Sequence, residues 1–579
     1  MEINFTGGAY KGRSLDLNAQ VCQNWFPVID QQDGKSILSL MGTPGLVTWA
    51  DTGDAREDRG SIVWNGNLYT AIGDKLYKID TSGTVESVGT FQTSTGRVYF
   101  AGGLTAMCIV DGSYGYSYPI LAVEEEATPS TGTGGTESHS AAAVTVTGAL
   151  NFAGTLKVAA DVMWKITDED FPANPTSVCY LDGFFIVSEA GSDTMYKSLS
   201  EQALAWAGLD FASAEDQPDD VTLVHAYKRH LMAYGTDTIE VFYNTGDSSF
   251  PFTRVAGAVI PVGVGAAASV ASGPEGMFFL DSLLQVRTWQ GYETQVISTE
   301  QIDYQIKSYT TKSDAVGYTY TQEGHSFYVL TFPTAGKTWA YDIVTGFWHT
   351  RSSGLAGGRH LSDWQQWFAG KNLVGGHNTG IIYELNLGAY TDNGSTIKSI
   401  RAAQVVQSGR KTVFHKRLDL DFEAGVGLST GLGTGTAVLT ADAVTSVTIT
   451  DGGSAYTEAP RVEFTGGAGS GAVATATLTA GAVSAVTIIA GGSGYTSAPT
   501  VTFIGGTQDP QAMLDWSDDG GHTWSNEHWA GIGAIGDYSN RISWRRLGRS
   551  RNRIYRVSIT DAVKRVLMGA HLEAEVGRG

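Results

Sequence analysis

The chain has 579 residues, too many for one ordinary hydrophobic core, so two or more domains are expected. Hydrophobic residues make up 42% and aromatics 11%, which excludes disorder; only 17% are charged and glycine reaches 73 residues, the composition of short strands joined by tight turns. The formal net charge of −21 argues against a binder of nucleic acid or anionic lipid, because phosphate affinity comes from lysine and arginine, yet it suits a conduit to which DNA should not adhere.

The N-terminus, Met1-Glu2-Ile3-Asn4, lacks a basic region followed by an apolar run, so no signal peptide is expected. No apolar stretch approaches the length of a membrane span. Cys22, Cys108 and Cys179 are far apart in apolar contexts and read as buried free thiols of a protein assembled in a reducing cytoplasm.

From there to about residue 395 a unit recurs: an apolar strand, a Gly or Asp turn, and a second apolar strand. It appears at 61–69, with Asn65-Gly66 as a hairpin turn, and at 180–187, 231–242, 276–289, 326–348 and 367–385. A spacing of roughly 40 to 50 residues with about four strands per unit is the signature of a β-propeller blade, and roughly six blades are counted. The expected fold class is therefore all-β. Residues 1–122 and 166–395 read as the propeller platform. The best helical candidate is short, at 199–207. Residues 123–165 open with Glu124-Glu125-Glu126, pass through a Ser/Thr/Gly-rich run and read as an insertion from a propeller loop, with strands expected at 144–158.

Residues 396–424 and 508–579 read as one C-terminal β-sandwich-like domain, split by an insert at 425–507. That insert is an internal repeat. Ala443 to Ile449, Gly452-Gly453-Ser454, Tyr456 and Ala459-Pro460 recur 39 positions later as Ala482 to Ile488, Gly491-Gly492-Ser493, Tyr495 and Ala498-Pro499. Each copy is too small to bury a core alone, so the two should pack on one another, with Tyr456 and Tyr495 as aromatic anchors.

Few groupings suggest chemistry. Ser517, Asp519, Gly521, Thr523 and Trp524 match Ser-x-Asp-x-Gly-x-Thr-Trp and so resemble the Asp-box of sialidases. Physically this is a hairpin turn in which Asp accepts backbone N–H groups and Gly supplies positive φ, and a structural role is expected. Asp168, Glu169 and Asp170, and likewise Asp219 and Asp220, read as loop charges rather than paired acids. His225 with His230, and His522 with His528, lack companions at metal spacing. One basic stripe stands against the acidic background: Arg541, Arg545, Arg546, Arg549, Arg551, Arg553 and Arg556. Alternation along a strand prevents all of them from touching one ligand, so pairing with acidic residues of the same or an adjacent subunit is favoured over a DNA-channel lining. No catalytic residue, cofactor or metal is expected.

Several stretches, read in order, resemble the tail hub (nozzle, or packaged-DNA stabilisation) proteins of short-tailed bacteriophages. They are Asn24-Trp25-Phe26-Pro27-Val28, Gly42-Thr43-Pro44-Gly45-Leu46, Leu76-Tyr77-Lys78, the run Tyr234 to Tyr243, Tyr341-Asp342 with Phe347-Trp348, Ser517-Asp518-Asp519-Gly520, and Trp544-Arg545-Arg546-Leu547-Gly548-Arg549. The two insertions have no counterpart. The resemblance implies a hexameric ring below the portal adaptor, enclosing the DNA channel of a virion tail. Implied partners are further copies of the chain, the head-to-tail connector, tail fibres or spikes, a distal plug or needle, and genomic DNA passing without tight binding. Two readings from other classes stand beside it: a glycan-processing propeller, and a non-catalytic glycan-binding module with Tyr456 and Tyr495 on its binding face.

Overall fold

The computed structural model describes residues 2–3, 5–13, 18–29, 38–119, 163–214, 219–247, 250–409, 411–426, 433–453, 456, 459–504, 510–533 and 537–577. They fall into two units, one of Val47–Thr338 with Arg359–Leu385 and the other of Met1–Leu46, Trp339–Gly358 and Asn386–Gly579.

The first unit is a propeller. Its blades form where two-residue turns accept positive φ, as at Asn65 (φ +46°) and Gly66 (φ +75°), which close the hairpin of Trp64 and Asn67. Five antiparallel four-stranded sheets follow one another in chain order. They are Asp58–Trp64, Asn67–Ile72, Lys75–Ile79 and Val85–Thr90; Tyr99–Gly102, Met107–Val110, Gly115–Tyr118 and Trp164–Lys165; Pro175–Leu181, Phe184–Glu189, Thr194–Leu199 and Gln202–Ser213. The fourth is Val221–Tyr227, His230–Gly235, Ile239–Asn244 and Phe252–Ile260, and the fifth Ala271–Gly273, Gly276–Leu280, Val286–Gln290 and Glu293–Val296. A hairpin, Val316–Gln322 with His325–Phe332, and a triplet, Ser362–Phe368, Lys371–Gly376 and Ile381–Asn386, complete the series. The roughly six units legible in the sequence thus become seven strand groups.

The first strands lie side by side from Asp58–Trp64 to Val221–Tyr227 and again from Ala271–Gly273 to Ser362–Phe368, which returns to Asp58–Trp64, while His225 bonding Ser272 joins the fourth group to the fifth. The ring closes. Its second strands are covered on both faces, so Met107–Val110 and Gly276–Leu280 are buried throughout and read as continuous apolar runs rather than alternation. Tyr69 and Leu76 pack on Met107 and Tyr116, Val110 on Phe185, and Leu68 and Ile79 on Leu373 and Ile382.

Two expectations change here. Residues 202–207, read as helical, belong to the strand Gln202–Ser213: Glu201 turns at φ +58°, Leu199 pairs with Gln202, and the Trp206 N–H donates to Asp168 (2.9 Å). Blade pairing overrides local helix propensity. Among the described residues the one α-helix is Glu300–Ser308. The insertion at 123–165 lies outside the described residues except for its end. There Met163 packs into the core, and Trp164–Lys165 pairs with Ser117 and Tyr116 as the fourth strand of the second blade.

Outside the insert, the second unit is built on two sheets. One orders Trp25–Ile29, Leu38–Gly42, Val566–Val576, Val413–Phe422 and Ile542–Arg545; the other runs from Trp348–Arg351 through Val21–Gln23, Ser399–Ala402, Asn552–Ile559 and Gln511–Ser517 to His528–Gly531. The boundary differs from the sequence reading, which gave residues 1–122 to the propeller. Leu40 pairs with Leu567 and Cys22 with Arg401, so the first 46 residues complete the C-terminal domain. A strand cannot announce from its own sequence which distant strand it will pair with.

The insert forms its own sheet, ordered Ala443–Asp451, Thr434–Thr440, Thr500–Ile504, Arg461–Thr465, Ser470–Thr479 and Ala482–Ser493. Its two copies meet reciprocally. The Tyr456 N–H donates to Gly481 and the Tyr495 N–H to Asp442, while the Val483 N–H donates to Gly452 and a Cβ on Gly491 would strike the Val444 carbonyl. Each of these pairs maps onto the other by the 39-residue offset, so the repeats are related by an approximate two-fold.

Candidate functional site

The arginine stripe divides into two populations. Arg553 is only 2% exposed. Its Nε and Nη2 donate to the Asp518 carboxylate at 2.6 and 2.7 Å, its Nη1 donates to the Leu547 carbonyl, and its guanidinium lies 4.9 Å from the Trp516 ring. Burial alone would lower its pKa, but the Asp518 bonds outweigh it and hold the charge. Arg556 donates from Nε to Asp515 at 2.9 Å and stacks 3.8 Å over Trp524. These two arginines rivet the hairpin at 517–524 to the strand Asn552–Ile559. Both pair with acidic residues of their own chain, so these two members of the stripe are engaged within the subunit.

Arg541, Arg545, Arg546, Arg549 and Arg551 are exposed. The strand Ile542–Arg545 alternates, with Ile542 and Trp544 inward and Arg545 outward, and it is the last strand of its sheet. His528–Gly531 ends the other sheet and lies beside it, joined by Trp544 Nε1 donating to the His528 carbonyl at 2.8 Å. Trp529 on that strand is 62% exposed and Tyr538 is 80% exposed. Exposed arginine, tryptophan and tyrosine on these neighbouring segments are the composition of protein-interface anchors. Sequence reasoning missed both aromatics, because an exposed Trp and a core Trp look alike without the fold.

The Asp-box residues form the expected turn. The Asp519 carboxylate accepts from the His522 and Thr523 N–H groups (3.1 and 2.9 Å) and from the Ser517 and Thr523 hydroxyls, with Gly521 at φ +98°. Those bonds, led by the Ser517 hydroxyl, hold its pKa well below the usual carboxylate range. Every acceptor position is spent on the turn, so none remains for chemistry.

Other candidates disperse. Asp168 accepts from the nearby Asp170 N–H and from the Trp206 N–H of the strand Gln202–Ser213. Burial would raise the Asp219 pKa, but donors from Thr236, Asp237 and Thr238 outweigh it and lower the pKa. His225 binds the Ser272 hydroxyl and His230 the Tyr292 hydroxyl, while His528 stacks on Trp516. Among the described residues no group of three His, Cys, Asp or Glu could hold a metal. The three cysteines are free and buried, as expected. Tyr456 and Tyr495 are anchors of the insert core, packed with Val501 and Phe503, so they form no glycan-binding face.

Two family models match the chain. One, described as bacteriophage P22 Gp10, beta-propeller, covers residues 1–389, and the other, bacteriophage P22 Gp10, beta-sandwich, covers 495–575. No curated protein matches. Among solved structures, the computationally designed Ika8 protein is 8% identical with a TM-score of 0.35, covering 58% of this chain and 99% of that one. BamB from Moraxella catarrhalis is 8% identical with a TM-score of 0.34, covering 64% of this chain and 98% of its own. The N-terminal domain of Nup159 is 7% identical with a TM-score of 0.34, covering 64% and 99%. Scores this low carry no argument.

Proposed function

The chain belongs to the bacteriophage P22 Gp10 family, and on that premise we propose that it forms the ring-shaped hub of a short phage tail. Membership makes it a structural component of the virion that stabilises packaged DNA. In the finer reading about six copies, assembled in the host cytoplasm, close a ring beneath the portal adaptor and enclose the DNA channel. The ring then docks fibres or spikes and a distal plug or needle. Genomic DNA passes through without tight binding, a reading supported by the net charge of −21.

The observation that carries this reading is the basic, aromatic edge of the C-terminal domain in an otherwise acidic chain. Such an edge is complementary to the acidic surface of the next copy. A head-to-tail contact of that kind closes into a ring when its rotation divides the circle. Native mass spectrometry with and without the portal–adaptor complex tests it, comparing wild type with Arg545→Glu combined with Arg549→Glu. Rings from wild type and monomers from the variant, at equal thermal stability, are expected. Wild-type monomers in both conditions would refute the ring.

A further inference from the structure

The propeller holds a partly open cavity of about 540 Å³ on its axis, lined by residues of the first strands of all seven groups. That volume is within the range of small-molecule sites, roughly 300 to 1,000 Å³. Its polar rim is largely spent on joining blades. Gln366 donates to the Ser61 carbonyl (3.2 Å), Asn372 to Thr321 (2.9 Å) and Thr319 to Ser272 (3.0 Å). These latches make the cavity rigid, and a rigid site loses little freedom when it binds.

Arg97 is the exception. It lines the cavity and makes no hydrogen bond or ion pair with any described residue. No carboxylate lines the cavity. His225, the other titratable nitrogen there, is held neutral because burial lowers its pKa to about 4. Asp58 and Glu57 act on Arg97 only at longer range. Tyr320 and Trp364 are buried in the wall, while Tyr99 is half-buried and Trp367 is 62% exposed, so these last two rings remain open to a ligand. Arg97 is half-buried, and an unpartnered guanidinium at a cavity wall is the group best suited to a planar carboxylate or a phosphate.

We infer that the axial cavity binds a small organic anion, its carboxylate or phosphate paired with Arg97 and its ring laid against the aromatic wall. This site is separate from the ring-forming edge and does not depend on assembly. An acidic sugar and a nucleotide share this chemistry, and the experiment separates them.

The full chain is titrated by calorimetry with glucuronate and with adenosine monophosphate, each beside its neutral counterpart, glucose or adenosine. One anion should bind saturably at one site per chain, and its neutral counterpart about tenfold or more weaker, equivalent to about 1.4 kcal/mol. Arg97→Met should weaken the anion by a similar factor, and Arg97→Lys should restore part of it. Should Arg97→Met fail to fold, Trp367→Ala at the exposed aromatic serves instead, and it should weaken the same ligand. Glucuronate binding alone identifies an acidic sugar, and adenosine monophosphate binding alone a nucleotide. No binding of either anion at millimolar concentration would overturn the inference. So would equal affinity for the neutral counterpart, or affinity unchanged in both variants.

Discussion

Replacing Asp58 with Asn should stabilise the propeller increasingly as pH rises from about 4 to about 7, with the full gain above that. Asp58 begins the first blade and is 4% exposed. One carboxylate oxygen takes the Thr70 hydroxyl at 3.2 Å and a long contact from the Gly60 N–H at 3.4 Å. Burial pushes its pKa from the ordinary 3.8 up to about 7, against the opposing pull of the Trp364 indole, Arg97 and those two donors. The folded state therefore holds a proton that the unfolded chain has released between those two values. Stability falls as pH rises across that window and is lowest above pH 7. A shift of about three units corresponds to roughly 4 kcal/mol, an upper bound once local relaxation is allowed.

Asn mimics the neutral acid and carries no such linkage, because its amide oxygen still accepts from Thr70. The gain of Asp58→Asn over wild type should thus be near zero at about pH 4 and should grow to a few kcal/mol at about pH 8. Urea unfolding followed by tryptophan fluorescence across that range measures it, with the transition of each unit fitted separately. A loss in Asp58→Asn that grows with pH would show that the carboxylate stabilises as an anion, and a difference independent of pH would show no raised pKa; either would defeat the argument from burial.

Two further outcomes follow from local geometry. The tip between Tyr227 and His230 holds Lys228 at φ +46° and Arg229 at φ +64°, so Lys228→Asn with Arg229→Gly should raise the urea midpoint, by about 1 kcal/mol of stability. The Tyr456 hydroxyl accepts from the Gly433 N–H (2.6 Å) and lies 3.3 Å from the Phe503 carbonyl, whereas the Tyr495 hydroxyl makes no bond among the described residues. Tyr456→Phe should therefore cost about 1 kcal/mol in thermal unfolding and Tyr495→Phe close to nothing, despite their equivalent places in the repeat.

The local devices were written in the sequence. Asn65-Gly66 specified its hairpin because few other residues tolerate two left-handed positions in succession. The Asp-box was legible as a turn because its donors and acceptor lie within eight residues of chain. The 39-residue repeat forecast a self-packing insert, since neither half can bury Tyr456 or Tyr495 alone. What the sequence could not determine was partnership over distance. Leu40 meets Leu567, and Asp518 captures Arg553 while Arg545 stays in solvent, although all the arginines look alike in the primary structure. Arg97 was likewise invisible, because a lone guanidinium acquires meaning only when seven strand groups close around it. Hairpins are chosen by the torsions of a few adjacent residues, whereas interfaces, buried ion pairs and axial cavities are chosen by which surfaces the closed ring and paired sheets bring together.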